Sequence, residues 1–489
     1  PMITIMFLGI LALLIDISEQ SFNLLCIITN EVIVILLLVI FLLCGKRIEY
    51  THLPVSIARG KAADFLYPRL VHRLPGKMPL RLKQFDILLL TLYHKQQLLH
   101  RILSNSYLVH IIVLLSLFSY IPFIILLLAL YVVTGGIHLS GDIQAKPIIN
   151  TAFLALGWLL ASVMGTTGAA MLLIRPLLAT NKQRQYKVHT VLFFIALCAN
   201  CGGLLTPLGD PPLFMLFLRG AEFTWFISLF PQWLFTGAVL LLMYYVVDSF
   251  YYKKEHHTAL EADAREHTPL KIQGKTNLVY LVAVILSVAF IHSGTIPQMA
   301  NPDSPLWIRY MREIVLLLLT AMSLHTTKRH VRYRLNKYSW APINEVAVLF
   351  FGIFVTMTPA LAYLNENAAS LGLDATWQFY YATGALSSFL DNTPTAVAFH
   401  SVASGLTPEQ VAAFGGGMVA GIPEVLLKAI CLAAVFFGSM TYIGNGPNFM
   451  VKAIAEENGI EMPSFFGYMA KFSLVVLLPV YILVQLIFL

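Results

Sequence analysis

Two short stretches carry the residues best suited to chemistry in this chain. "TPLGDPPLFM" at 206–215 and "TYIGNGPNFM" at 441–450 share Thr206/Thr441, Gly209/Gly444, Pro212/Pro447, Phe214/Phe449 and Met215/Met450 at a constant offset of 235, with Asp210 facing Asn445. Upstream of each lies a second polar island, "GTTGAAMLLIRPLL" at 165–178 and "LDNTPTAVAF" at 390–399. Their centres read Thr166-Thr167-Gly168 and Asp391-Asn392-Thr393. Carboxylate, hydroxyl and amide oxygens, with carbonyls released where glycines interrupt a helix, form a ligand set for a hard cation. A buried carboxylate can hold a sodium ion or a proton in turn, so a pair such as Asp210 and Asp391 can trade one for the other. The candidate ion-binding residues are Asp391, Asn392, Thr393, Asp210, Thr206, Gly209, Thr166, Thr167, Thr441, Gly444 and Asn445, with sodium expected at Asp391, Asn392, Thr167 and Asp210.

Plainer roles compete with these. Asp210 before Pro211 suits an N-cap followed by an N1 proline, and Asp391 has the same option ahead of "NTPTAV". Arg175 is expected to snorkel to the cytoplasmic face, while Glu345, Glu424 and Lys428 sit near span ends as anchors. His256 and His257 lie in a polar loop and read as solvated. Cys26, Cys44, Cys198, Cys201 and Cys431 fall in or beside apolar runs and read as small buried hydrophobes; Cys198 and Cys201 have no second ligand pair at zinc spacing.

The elements that must position these groups follow from composition. Of 489 residues 58% are hydrophobic and only 12% charged, and mean hydropathy is +0.75, which places the chain in a membrane. Apolar runs of span length or nearly so recur at 24–45, 107–134, 188–201, 223–247, 277–293, 313–324, 344–364, 424–437 and 464–489. The opening stretch has no basic flank and no clear cleavage site, so it reads as a span rather than a removed signal peptide. The net charge of +7 reflects basic cytoplasmic loops and does not imply nucleic acid. The runs 150–179 and 375–404 are too long for one simple span, too short for two, and polar at the centre. Each is expected to be a re-entrant hairpin, since broken backbone survives in a bilayer only where it lines a cavity or is buried in protein. The fold class is therefore all-α: a polytopic integral membrane protein with two re-entrant hairpins and two discontinuous helices in inverted repeats.

The expected organisation is 1–106 as N-terminal spans with a basic interfacial segment, 107–251 as the first repeat, 252–276 as a cytoplasmic linker, 277–342 as connecting helices with a basic loop, and 343–489 as the second repeat. The loop after the first hairpin carries Lys182, Arg184 and Lys187, whereas "ASGLTPEQV" after the second carries no basic residue. The hairpins thus enter from opposite faces. One conflict stands: counting spans backwards puts the basic 46–106 stretch outside, unless "DILLLTLYHKQQLLH" at 86–100 packs at the interface.

In "GGLLTPLGDPPLFM" and "SSFLDNTPTAV" the chain resembles the ion transporter superfamily, which includes NhaD-type sodium/proton antiporters, arsenite permeases and divalent-anion/sodium symporters; the wording is nearest to NhaD-type and citrate-transporter-like members, from about 107 to 489. The resemblance implies an inverted-repeat scaffold, often a homodimer moving by an elevator-like displacement. Symporter relatives carry Ser-Asn-Thr at the hairpin tips, and neither tip here has it. A carboxylate at the tip attracts a cation and repels a citrate-like anion. The expectation is a secondary transporter exchanging sodium or lithium for protons, the alternative being coupled transport of a citrate-like carboxylate or arsenite. No cofactor is expected beyond the transported sodium and proton; the partners are membrane lipid and a small inorganic cation, and the location is a bacterial inner membrane. An enzyme is disfavoured, because the chain has no H-E-x-x-H, no G-x-S-x-G and no paired intramembrane histidines.

Overall fold

In the computed structural model, residues 106–265, 268–301 and 303–489 are described. The expectations for residues 1–105, including the opening span, Cys26, Cys44 and the 86–100 segment, lie outside them. Helix α1 (Ser106–Thr134) leads to strand β1 (His138–Asp142), and from Phe118 onward the chain packs as one unit.

The first polar island breaks a helix as its composition requires. Helix α2 (Pro147–Met164) starts on a proline and stops at Gly165, whose φ is +81°, a conformation that glycine adopts without strain. Helix α3 (Thr166–Thr180) starts on the next residue and packs back against α2, so the run forms a helical hairpin. Helix α4 (Val188–Leu197) then loosens into a short 3₁₀ turn at Cys201–Leu205, leaves helical geometry at Thr206, and resumes at Pro211 as α5 (Pro211–Leu218). Helix α6 (Phe230–Tyr252) follows. After the linker come α7 (Thr276–Phe290), α8 (Met311–Thr326) and α9 (Ala341–Glu366).

The second half repeats this design. Helices α10 (Thr376–Phe389) and α11 (Asn392–Ser404) pack as the second hairpin. Helix α12 (Glu424–Phe437) passes through a 3₁₀ turn at Gly438–Met440 and resumes as α13 (Gly446–Glu457). The chain closes with Phe465–Phe488, whose middle is a π-helical stretch and whose last part is α14 (Leu478–Phe488). The backbone at the two breaks agrees closely: φ and ψ are −143° and 156° at Thr206, −139° and 166° at Thr441. Asp210 and Asn445 match as well, at −144°, 141° and −147°, 140°. The sequence repeat is thus a structural one.

Five helical segments among the described residues are long and apolar enough to cross a membrane: 147–164, 188–205, 223–252, 341–366 and 465–488. Their large apolar side chains face outward as well as inward; Leu242, Val279, Leu318, Val475 and Leu486 are exposed, as a lipid-facing surface requires.

The described residues bear out the all-α reading, with two small ribbons added. Strand β2 (Thr268–Gln273), in the linker expected to be loop, pairs antiparallel with β1 in the register His138↔Gln273 and Leu139↔Ile272. A second pair, Met418–Val419 with Ile422–Pro423, closes on Ala420 and Gly421, both at positive φ. Strand pairing satisfies backbone groups where no helix forms, across a long stretch of chain in the first ribbon and within a tight turn in the second. Among the described residues the chain is mostly helical with these two small ribbons.

Candidate functional site

The four broken elements meet at Asp210. The two hairpins are related at an offset of 226: Ser162 and Ser388 each end a first arm and accept, through their carbonyls, the hydroxyls of Thr206 and Thr441. Each unwound segment is thereby tied to its own hairpin. Gly209 and Gly444 complete the joint. A Cβ on Gly209 would collide with the Gly203 carbonyl, and one on Gly444 would lie 2.6 Å from the Gly438 carbonyl, so only a bare backbone fits at either position.

This framework aims side chains inward. Asp210 caps nothing; its side chain makes no hydrogen bond to the α5 backbone. Its Oδ1 instead accepts from Thr166 Oγ1 at 2.9 Å and Asn445 Nδ2 at 3.1 Å, and its Oδ2 from Asn392 Nδ2 at 2.5 Å. Three neutral donors thus converge on it from the first hairpin, the second broken helix and the second hairpin. All four side chains are at most 3% exposed. The ion pairs among the described residues all lie elsewhere, so the Asp210 charge is balanced by dipoles rather than by a fixed cation.

The other predicted residues take different places. Asp391 caps α11: its Oδ1 accepts the Thr393 amide at 2.9 Å, the plainer of its two roles. Thr393 is buried and its hydroxyl reaches Asn392 Oδ1 at 3.5 Å. Thr167 is exposed, one residue past Thr166, and makes none of these bonds. Arg175 is half-buried. Glu424 pairs with Lys428 at 2.8 Å, Glu345 is exposed, and so are His256 and His257. Cys198, Cys201 and Cys431 are buried free thiols.

Two groups of residues had escaped the sequence reading. Asn200 donates to Ile195 O at 2.9 Å and to Asn448 Oδ1 at 2.7 Å, while Asn448 Nδ2 donates to the carbonyls of Gly438 and Thr441. This chain of amides joins the two unwound segments behind Asp210. The second group is ionic. Arg184, in the loop after α3, pairs with Asp248 at 2.8 Å and Glu255 at 3.4 Å; His189 Nε2 lies 2.8 Å from Asp248. Glu255 also accepts the amides of Gln185 and Tyr186 at 2.9 Å each. The signal available for it was a lone acid, Asp248, at the end of a greasy run.

The family described as "Putative citrate transport" matches residues 84–489, beginning upstream of 107, where the motif resemblance was placed. The Escherichia coli (strain K12) inner membrane protein YbiR is 32% identical over 117 residues, which is 22% of this chain and 32% of that protein. The chain therefore matches about a third of the length of this curated relative.

Proposed function

This chain belongs to the family described as "Putative citrate transport" and is a multi-pass protein of the cell membrane; from that premise we propose that it is a secondary active transporter exchanging sodium or lithium for protons at Asp210. The observation that carries this reading is the buried Asp210 carboxylate, held by Thr166, Asn392 and Asn445 without a fixed cation. A charge at membrane depth is costly and is kept mainly for an ion pathway, a proton relay or a partner. A proton placed on Oδ2 turns an acceptor into a donor opposite the Asn392 amide, so it loosens the second hairpin from the site. A sodium ion on Oδ1 of the same carboxylate leaves the Asn392 amide bond to Oδ2 in place. Proton and sodium thereby favour different arrangements of the tips, and competition for one carboxylate is antiport in its simplest form. In this scheme both hairpins are re-entrant, Asp391 and Thr393 hold the second tip, and Thr206, Gly209, Thr441 and Gly444 hold the frame.

The family description favours a second reading, coupled uptake of a citrate-like carboxylate. Asp210 weighs against it, because like unit charges about 4 Å apart repel by roughly 4 kcal/mol at an effective dielectric near 20. Proteoliposomes containing a pH dye decide between them. Sodium or lithium added outside acid-loaded vesicles should alkalinise the interior for the wild type and not for Asp210→Asn. Accumulation of labelled citrate with no cation-driven pH change would sink the antiport reading.

A further inference from the structure

The Asn445 amide nitrogen stands among three oxygens: Asp210 Oδ1 at 3.1 Å, the Ala199 carbonyl at 3.1 Å and Asn200 Oδ1 at 3.2 Å. An amide NH₂ has two hydrogens, so one oxygen more than it can serve directly surrounds it. None of the three is there by accident of a loose side chain. Asn200 is fixed with its oxygen forward because its nitrogen is bound to Ile195 O and Asn448 Oδ1. The Ala199 carbonyl lies just past the end of α4, where the last carbonyls of a helix have no intrahelical partner. Asp210 brings the only formal charge among the three. One carboxylate, one amide oxygen and one backbone carbonyl, all buried and converging, are the surroundings of a hard monovalent cation rather than of a neutral amide.

We propose that sodium or lithium binds at this point, held by Asp210 Oδ1, Asn200 Oδ1, Ala199 O and, after a half-turn of its terminal torsion, Asn445 Oδ1. The half-turn exchanges oxygen for nitrogen in nearly the same volume and needs no backbone movement. Without the cation, the Asn445 nitrogen fills the cage and keeps the two unwound segments together. With it, the amide oxygen does so through the ion. Ala199 and Asn200 are thus ligands that neither the repeat nor the hairpin motifs point to, and the repeat position of Asp210 in the second half acts as a switch. This assignment rests on the cation reading of the site.

The test uses the full-length protein in detergent, with the unfolding midpoint followed in sodium, lithium, potassium or choline chloride at constant ionic strength and pH 8. Sodium and lithium should raise the wild-type midpoint saturably, and potassium and choline should not. Asn445→Ala and Asn200→Ala should each raise the half-saturating sodium concentration at least tenfold. Asn445→Asp, which keeps an oxygen at the switch position and guards against an unfolded alanine variant, should stay within threefold of wild type. Unchanged sodium half-saturation in both alanine variants, or a lost response in a folded Asn445→Asp, would overturn the cage while leaving antiport at Asp210 intact. A wild type with no sodium or lithium response here and no sodium-driven proton movement in vesicles would overturn both.

Discussion

Replacing Arg184 with methionine should destabilise the protein by about 3–5 kcal/mol, the range for removing one partner of a buried ion pair. The side chains of Arg184, Asp248 and Glu255 are each at most 1% exposed. At an effective dielectric of about 20, an ion pair at 2.8 Å is worth roughly 6 kcal/mol and one at 3.4 Å roughly 5 kcal/mol. Burying three ions costs several kcal/mol each, which offsets most of that attraction. The intact cluster is therefore close to neutral. Arg184→Met abolishes the attraction but leaves both carboxylates buried, relieved in part by His189, Asn150 and the amides of Gln185 and Tyr186. Adding Asp248→Asn and Glu255→Gln to Arg184→Met removes those charges and should recover more than half of the loss. Unfolding by SDS in mixed micelles, followed by tryptophan fluorescence, measures both variants against wild type. A single variant within about 1 kcal/mol of wild type, the ordinary range for an exposed pair, would refute the reasoning. So would a triple variant no more stable than the single one.

Gly209→Ala must push the Gly203 carbonyl away and should lower transport in vesicles more than tenfold, whereas Gly446→Ala, with nothing within 4 Å of the added carbon, should stay within about 0.5 kcal/mol of wild-type stability. Asp391→Ala should cost about 1 kcal/mol through the lost cap, and Asp391→Ser, which can still accept the Thr393 amide, should recover most of it and transport within threefold of wild type; loss of ion movement in the serine variant would make Asp391 a direct ligand. Burial raises the Asp263 carboxyl above its ordinary range, opposed by the hydrogen bond from the Ala145 amide. A raised folded-state value favours the protonated acid, so that contribution is full below about pH 4 and is lost as pH climbs through the folded value. Asp263→Asn should accordingly raise the unfolding midpoint at pH 8, with the gain shrinking on acidification; a gain that grows toward low pH would contradict the assignment.

The breaks were legible because glycine, proline and a carboxylate inside an apolar run have few structural explanations. The match of Thr206 with Thr441 and of Asp210 with Asn445 supplied the pairing. Which threonine of Thr166-Thr167 faces inward was not legible, since helical phase after a one-residue break depends on the turn at Gly165. Asn200 and Asn448 escaped because the offset of 235 sets them against Val435 and Leu213, so comparing the halves points away from them. The Arg184 cluster escaped for another reason: its members come from two loops and a helix end, and only folding brings Asp248 beside residue 184. Strand β2 was hidden in a segment whose charge and polarity suit a loop, and its pairing with β1 is a contact over more than a hundred residues of chain.

That ribbon changes where the chain's seam lies. Strand β1 waits for Gln273, the Ala145 amide waits for Asp263, and Arg184 waits for Glu255. Three separate ties thus run from the loops of the first half into the connecting segment. During synthesis the first half is consequently left with open ends until the chain has grown past about residue 273, and closing so long a loop is among the slower steps of assembly. The segment between the halves belongs structurally to the first of them, as a clasp on its loops.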